Sequence, residues 1–141
     1  MRPLTALYAY AEAHDMEIYY FPMRVLASVA FPDGVIAMDV DKLADSREET
    51  VCLAHEMGHI ETGSFYQSQT PLAVRGKKER QADAWAIQTL LPVAKLKEAL
   101  AEGCHTLWDL AERFQVTEAF IQKAVVYYQC KEMLPLVWQE E

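Results

Sequence analysis

The stretch VCLAHEMGHI, residues Val51 to Ile60, carries two of the chain's four histidines, His55 and His59, four residues apart, with Glu56 directly after the first. On an α-helix, residues four apart lie on one face. Both imidazoles then point the same way and reach a single ion. Glu56, one residue on, is offset by about a quarter-turn. Its carboxylate misses the ion and reaches a water bound to it. This spacing suits metal-assisted hydrolysis, in which zinc lowers the pKa of a water and the glutamate takes the proton. The plain alternative is a helix whose histidines are ordinary core or surface residues.

A catalytic zinc takes three protein ligands and keeps one position open, so two histidines make half a site. The three-histidine metzincin pattern would place a glycine and a third histidine soon after the motif. Here IETGSFYQ follows, and the next histidine is His105. A carboxylate is the other option. Glu79 opens ERQAD, and Asp83 lies four residues on, along the same helical face. With Ala82 starting a buried stripe, Glu79 can turn inward as the third ligand while Lys77 and Lys78 stay in water. Asp83 can accept the second N–H of a ligand histidine. Glu61 competes as a ligand, but it falls on a different helical face from His59. Tyr66, in the loop after the motif, is a candidate catalytic group for oxyanion stabilisation; a tyrosine that only packs fits the sequence equally well. His105, after Gly103, reads as a capping or surface histidine, and His14 has no identifiable partner.

HEMGH followed by E-x-x-x-D is the thermolysin-like, or gluzincin, arrangement. The longer strings LAHEMGHIETGSFY and KKERQADAWAIQTLLP resemble the ImmA/IrrE family of zinc metallopeptidases. The resemblance runs over roughly residues 7–130 and is most specific across 51–92. It implies that His55, His59 and Glu79 hold one Zn²⁺ and that Glu56 is the general base. Asp83 matches the family's Asn/Asp position four residues after the ligand. Better-known members relieve repression by cleaving or disabling a helix-turn-helix repressor, in mobile elements and stress responses. The partner this implies is a protein substrate, a helix-turn-helix repressor. The rival reading keeps the metal and makes the chain an anti-repressor binding module that grips its partner without cutting it.

These residues need a scaffold, and the composition allows one. The chain has 141 residues, 52% hydrophobic and 24% charged, which suits one folded soluble domain. The net charge of −8, from 21 acidic and 13 basic residues, argues against nucleic acid as the main partner. It leaves room for a local basic patch at Arg75, Lys77, Lys78 and Arg80. Cys52, Cys104 and Cys130 have no paired spacing and read as reduced thiols. MRPLTALYAYAEAHD lacks the apolar run of a signal peptide, and no stretch approaches the roughly 20 apolar residues of a membrane span. A cytoplasmic protein without membrane contact is expected.

Along the chain, Leu4, Leu7, Tyr8 and Ala11 predict a helix over 3–14. EIYYF predicts a strand that Pro22 ends. VLASVAF and VIAMDV flank Phe31–Gly34, a hairpin connection, which gives about three strands in an antiparallel sheet. Ser46 with Glu49 forms a capping box that launches the motif helix to about Ile60, with Gly63 as its stop. Residues 62–75 read as an irregular loop. A helix from Lys77 to Leu91 follows, with Ala82, Trp85, Ala86, Thr89 and Leu90 as its buried stripe. A short helix spans 93–102. Thr106 with Asp109 opens a helix to Phe114, and Thr117 caps the last one, to Cys130. The tail beyond Pro135 is unassigned.

LWDLAERFQVTEAFIQKAVVYY resembles a helix-turn-helix. Its second helix offers only Gln122 and Lys123 as polar contacts beside Glu118, and Phe120, Ile121, Ala124, Val125 and Tyr128 are spaced as core. It reads as two packed helices, with a DNA-binding regulator ranked last. The expectation is a single α+β, minimal zincin-like domain over 1–141, mostly helical. The sheet and active-site helices fall in about 1–92 and the helical C-terminal part in about 93–130. The expected activity is that of a zinc-dependent metalloendopeptidase.

Overall fold

The structure, a computed structural model, describes residues 2–134, so the tail beyond Pro135 lies outside the described residues. In chain order it contains α1 (Pro3–Ala13), β1 (Glu17–Tyr20), β2 (Ser28–Ala30), β3 (Val35–Met38), α2 (Ser46–Thr62), α3 (Leu72–Leu90), α4 (Val93–Ala101), α5 (Leu107–Phe114) and α6 (Glu118–Cys130). A 3-10 turn, Val40–Lys42, links β3 to the first of the two long helices. The class is α+β and mostly helical, as the patterning predicts.

The sheet is mixed, which corrects the antiparallel expectation. Its order is β1-β3-β2. β2 and β3 form the expected antiparallel hairpin, with Val29 opposite Ala37, but β1 runs parallel to β3, with Ile18 opposite Ile36. The segment between Tyr20 and Ser28 carries the chain past one end of β3, and β3 then inserts between the two earlier strands. The physical sign of this order is burial. Ile36, Ala37 and Met38 are all enclosed, as a central strand requires, whereas β1 leaves Tyr19 and Tyr20 half exposed.

α2 starts one residue earlier than the Ser46 capping box suggests. Asp45, with extended backbone, is the N-cap, and its Oδ1 accepts the Glu48 N–H at 3.0 Å. Ser46 is instead the first helical residue, and its carbonyl accepts the Thr50 hydroxyl. The helix runs to Thr62 and stops at Gly63, whose φ of 63° is the left-handed cap a glycine supplies.

α3 begins at Leu72, not Lys77, so the loop is shorter than 62–75. Pro71 presets the entry: its carbonyl accepts both Val74 N–H and Arg75 N–H at 3.0 Å. Arg75 then reaches back to the carbonyls of Thr70, at 2.7 Å, and Ser68, pinning the loop. The buried stripe is also rotated from expectation. Ala82, Ala86, Ile87 and Leu90 are enclosed, while Thr89 is exposed and Trp85 half buried.

The two long helices touch backbone to backbone. A Cβ placed on Gly58 would stand 2.4 Å from the Ala82 carbonyl oxygen. Behind them, α5 and α6 start at caps Thr106 and Thr117, whose hydroxyls accept from Asp109 N and Phe120 N at 3.0 and 3.1 Å. Phe120, Ile121, Ala124, Val125 and Tyr128 are all buried, in one cluster with Leu53, Met57, Ile87 and Leu91. The Tyr128 hydroxyl donates to the Leu91 carbonyl at 2.8 Å and ties α6 to the end of α3. Among the described residues no helix is long and apolar enough to cross a membrane.

The contact at Gly58 sets a stability order. Gly58→Ala forces two backbones apart and is expected to cost about 3 kcal/mol in denaturant unfolding of the metal-free protein. Gly63→Ala meets open space but must hold a positive φ, and should cost about 1 kcal/mol. Equal stability of Gly58→Ala and wild type would show that the helices can separate freely.

Candidate metal centre

Where α2 crosses α3, three side chains converge. His55 Nε2 lies 2.7 Å from Glu79 Oε2, His59 Nε2 lies 3.3 Å from Glu79 Oε1, and the two Nε2 atoms are 3.1 Å apart. One ligand atom from each residue lies within 4.8 Å of the others. The structure thus brings together the three residues that spacing and resemblance single out as metal ligands.

The remaining contacts decide what these atoms can bind. His55 Nδ1 faces Asp83 Oδ1 at 2.8 Å, and His59 Nδ1 faces the Ser64 carbonyl at 2.6 Å. An ionised carboxylate and a carbonyl only accept, so each Nδ1 carries the proton and donates it. The two Nε2 atoms face each other at 3.1 Å, and His55 Nε2 faces the Glu79 carboxylate at 2.7 Å, so a proton or a shared cation can occupy this point. With both Nδ1 atoms engaged, the two Nε2 atoms and a Glu79 oxygen are free to serve one ion as ligands. Two neutral imidazole nitrogens and one carboxylate oxygen are a ligand set that zinc takes in hydrolytic sites. The residues therefore fit a divalent metal ion.

The electrostatics agree. Burial works against the charged form of His55, yet the hydrogen bond to Asp83 and the charges of Glu56, Asp83 and Glu79 outweigh it and raise its pKa. Burial alone would raise Glu79, but the Tyr66 hydrogen bond and the two histidines hold it below the ordinary glutamate value. Asp83 is likewise lowered: burial opposes, and His55 together with Lys123 prevails. The pocket is a negative well that draws a proton or a metal cation.

Glu56 is buried on the next helical position, and its Oε2 accepts the Ser28 hydroxyl at 2.7 Å. It opens on the same cleft as His55, His59 and Glu79, a cavity of about 400 Å³ whose far wall is β2 with Phe65 and Tyr66. The Tyr66 hydroxyl donates to Glu79 Oε1 at 2.7 Å, so this tyrosine lines the cleft while holding the carboxylate. Asp83 faces His55 and Lys123, with Lys123 Nζ 3.3 Å from its Oδ2, and not Arg80.

The other candidates lie elsewhere. Glu61 accepts the Tyr10 hydroxyl at 2.8 Å. His14 stacks on the Tyr10 ring at 3.8 Å and donates from Nδ1 to the Tyr10 carbonyl. His105 Nε2 bonds the Leu100 carbonyl at 2.9 Å, a helix-end contact. Cys52, Cys104 and Cys130 are free thiols, and burial, followed by Glu48 and Glu56, pushes the Cys52 thiol up.

Sequence reasoning missed Ser28, Ser64 and Lys123. Ser28 had a signal, as the one polar residue in the apolar run VLASVAF. Ser64 acts through its carbonyl, which no residue type announces.

Two histidines on one helix, a glutamate on the next and the Glu56 carboxylate opening on the same cleft form a group that could hold a metal ion in an α+β domain. The chain belongs to the M78 peptidases: the profile of that family's IrrE N-terminal-like domain matches residues 11–125. No curated protein gives a significant match.

Metal uptake tests the centre directly. Titrated with zinc, the metal-free protein should bind a single ion, and His55→Ala or Glu79→Ala should abolish that binding in a chelator competition. Asp83→Asn removes a partner of the ligand and should weaken it about 10- to 100-fold. Full metal occupancy in His55→Ala would refute the ligand assignment.

Proposed function

We propose that this chain is a zinc-dependent endopeptidase that hydrolyses a peptide bond in a protein substrate, a helix-turn-helix transcriptional repressor. The observation that carries the reading is the convergence of His55, His59 and Glu79 in one cleft with the carboxylate of Glu56. A zinc ion held by the three ligands would supply Lewis acidity, lowering the pKa of a water and polarising a carbonyl.

The chain's own residues do the rest. Ser28 occupies Glu56 Oε2 and leaves Oε1 to take a proton from the attacking water. The same carboxyl then delivers that proton to the departing amine nitrogen. Tyr66 keeps Glu79 in place through its one O–H and lines the cleft, so turning that O–H from Glu79 would offer it to the developing oxyanion.

β2 supports an extended peptide as substrate. Phe31 N–H bonds Val35 O and Ala27 O accepts from Asp39 N–H, both at 2.8 Å, so alternate residues of the hairpin face β3. Ser28 and Ala30, which line the cleft, therefore turn their N–H and C=O groups to the open edge. A substrate strand added there is held by its backbone, with little demand on its sequence. The acidic chain, at −8, favours a repressor protein over its operator DNA as the partner. Resemblance to the ImmA/IrrE family supplies the choice of repressor.

Glu56→Gln separates cutting from gripping. It should retain zinc, since it is not among the ligands, and lose about 100-fold or more of the cleavage rate, read as repressor fragments by mass spectrometry. Undiminished relief of repression in cells by this variant would show that the chain works without proteolysis.

A further inference from the structure

Asp83 uses both of its carboxylate oxygens. Oδ1 accepts from His55 Nδ1 at 2.8 Å, and Oδ2 faces Lys123 Nζ at 3.3 Å. Lys123 lies 40 residues further along the chain, on α6. It is a surface lysine by exposure, yet it lines a cavity of about 250 Å³ beside the metal site, together with His55, Glu56, Glu79, Asp83 and Phe120. Its neighbours Phe120, Ile121 and Ala124 are buried in the core. The backbone that carries Lys123 is therefore fixed relative to α3.

Charge gives this contact a purpose. Three carboxylates, Glu56, Glu79 and Asp83, surround His55 and His59. A divalent ion balances two of those charges, and Lys123 balances the third. Geometry gives it a second one. An aspartate held at one oxygen can rotate about its side-chain bonds; held at both, it fixes the plane of the imidazole it orients. Arg80, three residues before Asp83, does not take this place in the structure.

We propose that Lys123 is a positioning residue of the metal centre. Acting through Asp83, it locks the His55 ring so that Nε2 meets Glu79 and His59, and it makes α6 a working part of the site. This rests on the reading of His55, His59 and Glu79 as metal ligands.

The test is zinc affinity of the full chain by chelator competition. Lys123→Met should weaken zinc about three- to tenfold, less than loss of Asp83 itself, and Lys123→Arg, which keeps the charge and the donors, should restore it to within about twofold. In an Asp83→Asn background Lys123→Met should cause no further loss, because the lysine acts only through the aspartate. Unchanged or tighter binding by Lys123→Met, or an equal loss with and without Asp83, overturns the proposal. The metal-free protein gives a second reading: the His55 Nδ1 proton, shielded by Asp83, should exchange with water faster in Lys123→Met than in wild type. Equal exchange rates refute the tether even if the wild type binds no zinc, an outcome that would itself refute the metal reading.

Discussion

The closest constraint in the molecule is the approach of α2 to α3 at Gly58. With a Cβ position 2.4 Å from the Ala82 carbonyl, only glycine lets the two backbones meet there. His59 follows Gly58 directly and His55 precedes it by three residues, while Asp83 follows Ala82 and Glu79 precedes it by three. The crossing point and the cluster thus occupy the same turn of each helix. A glutamate side chain is short, so a third ligand from a second helix needs that helix at near-contact distance. The glycine inside HEMGH, which has no chemistry of its own, sets whether Glu79 reaches the histidines at all.

Holding polar groups in this crowded place has an energetic cost, and the structure meets it with hydrogen bonds. A buried imidazole with an unmatched N–H would be destabilising by roughly 1–3 kcal/mol. Here every buried side-chain nitrogen and oxygen among the described residues has a partner. Asp83 and the Ser64 carbonyl each take one N–H, Ser28 takes Glu56, and Tyr66 takes Glu79. These contacts stabilise the fold and also select one tautomer in each ring. Order in the site and order in the fold come from the same bonds.

How much of this could be read from the sequence depends on whether the determinant is local. His55, Glu56, His59, Glu79 and Asp83 were legible because helical periodicity converts spacing directly into a shared face. The caps at Thr106 and Thr117 and the stop at Gly63 were legible because each is a short-range hydrogen bond or a single φ. The order of the strands was not, since β1 and β2 are neighbours in the chain and β3 separates them in the sheet. Only the unbroken apolar run of VIAM hinted that β3 lies in the middle. The start of α3 differs from the sequence reading, which keeps residues 62–75 as a loop, because Pro71 already sets the helix going. Lys123 was read as a possible base contact of a recognition helix because its partner, Asp83, is distant in sequence and nothing near it marks the pair.

That misreading bears on the helix-turn-helix likeness of α5 and α6. The likeness consists of two capped helices, a tight turn through Gln115 at a φ of 56°, and an apolar stripe on the second helix. All three features also serve a helix pair that closes a core. The stripe of α6 is spent on Leu53, Met57 and Ile87, and Tyr128 and Tyr127 bond to α3 through the Leu91 carbonyl and Gln88. The side chain that a recognition helix would turn outward, Lys123, is turned toward Asp83. The helix carrying Glu79 and Asp83 is held closely by α2 at Gly58, and α6 touches it and its end at Asp83, Gln88 and Leu91. A third ligand and its orienting aspartate delivered from one helix can keep sub-ångström register with histidines on another only if that helix cannot shift along its axis. The contact with α2 at Gly58 is the closest such restraint, and α6 adds the hydrogen bonds of Tyr127 and Tyr128 and the ion pair of Lys123.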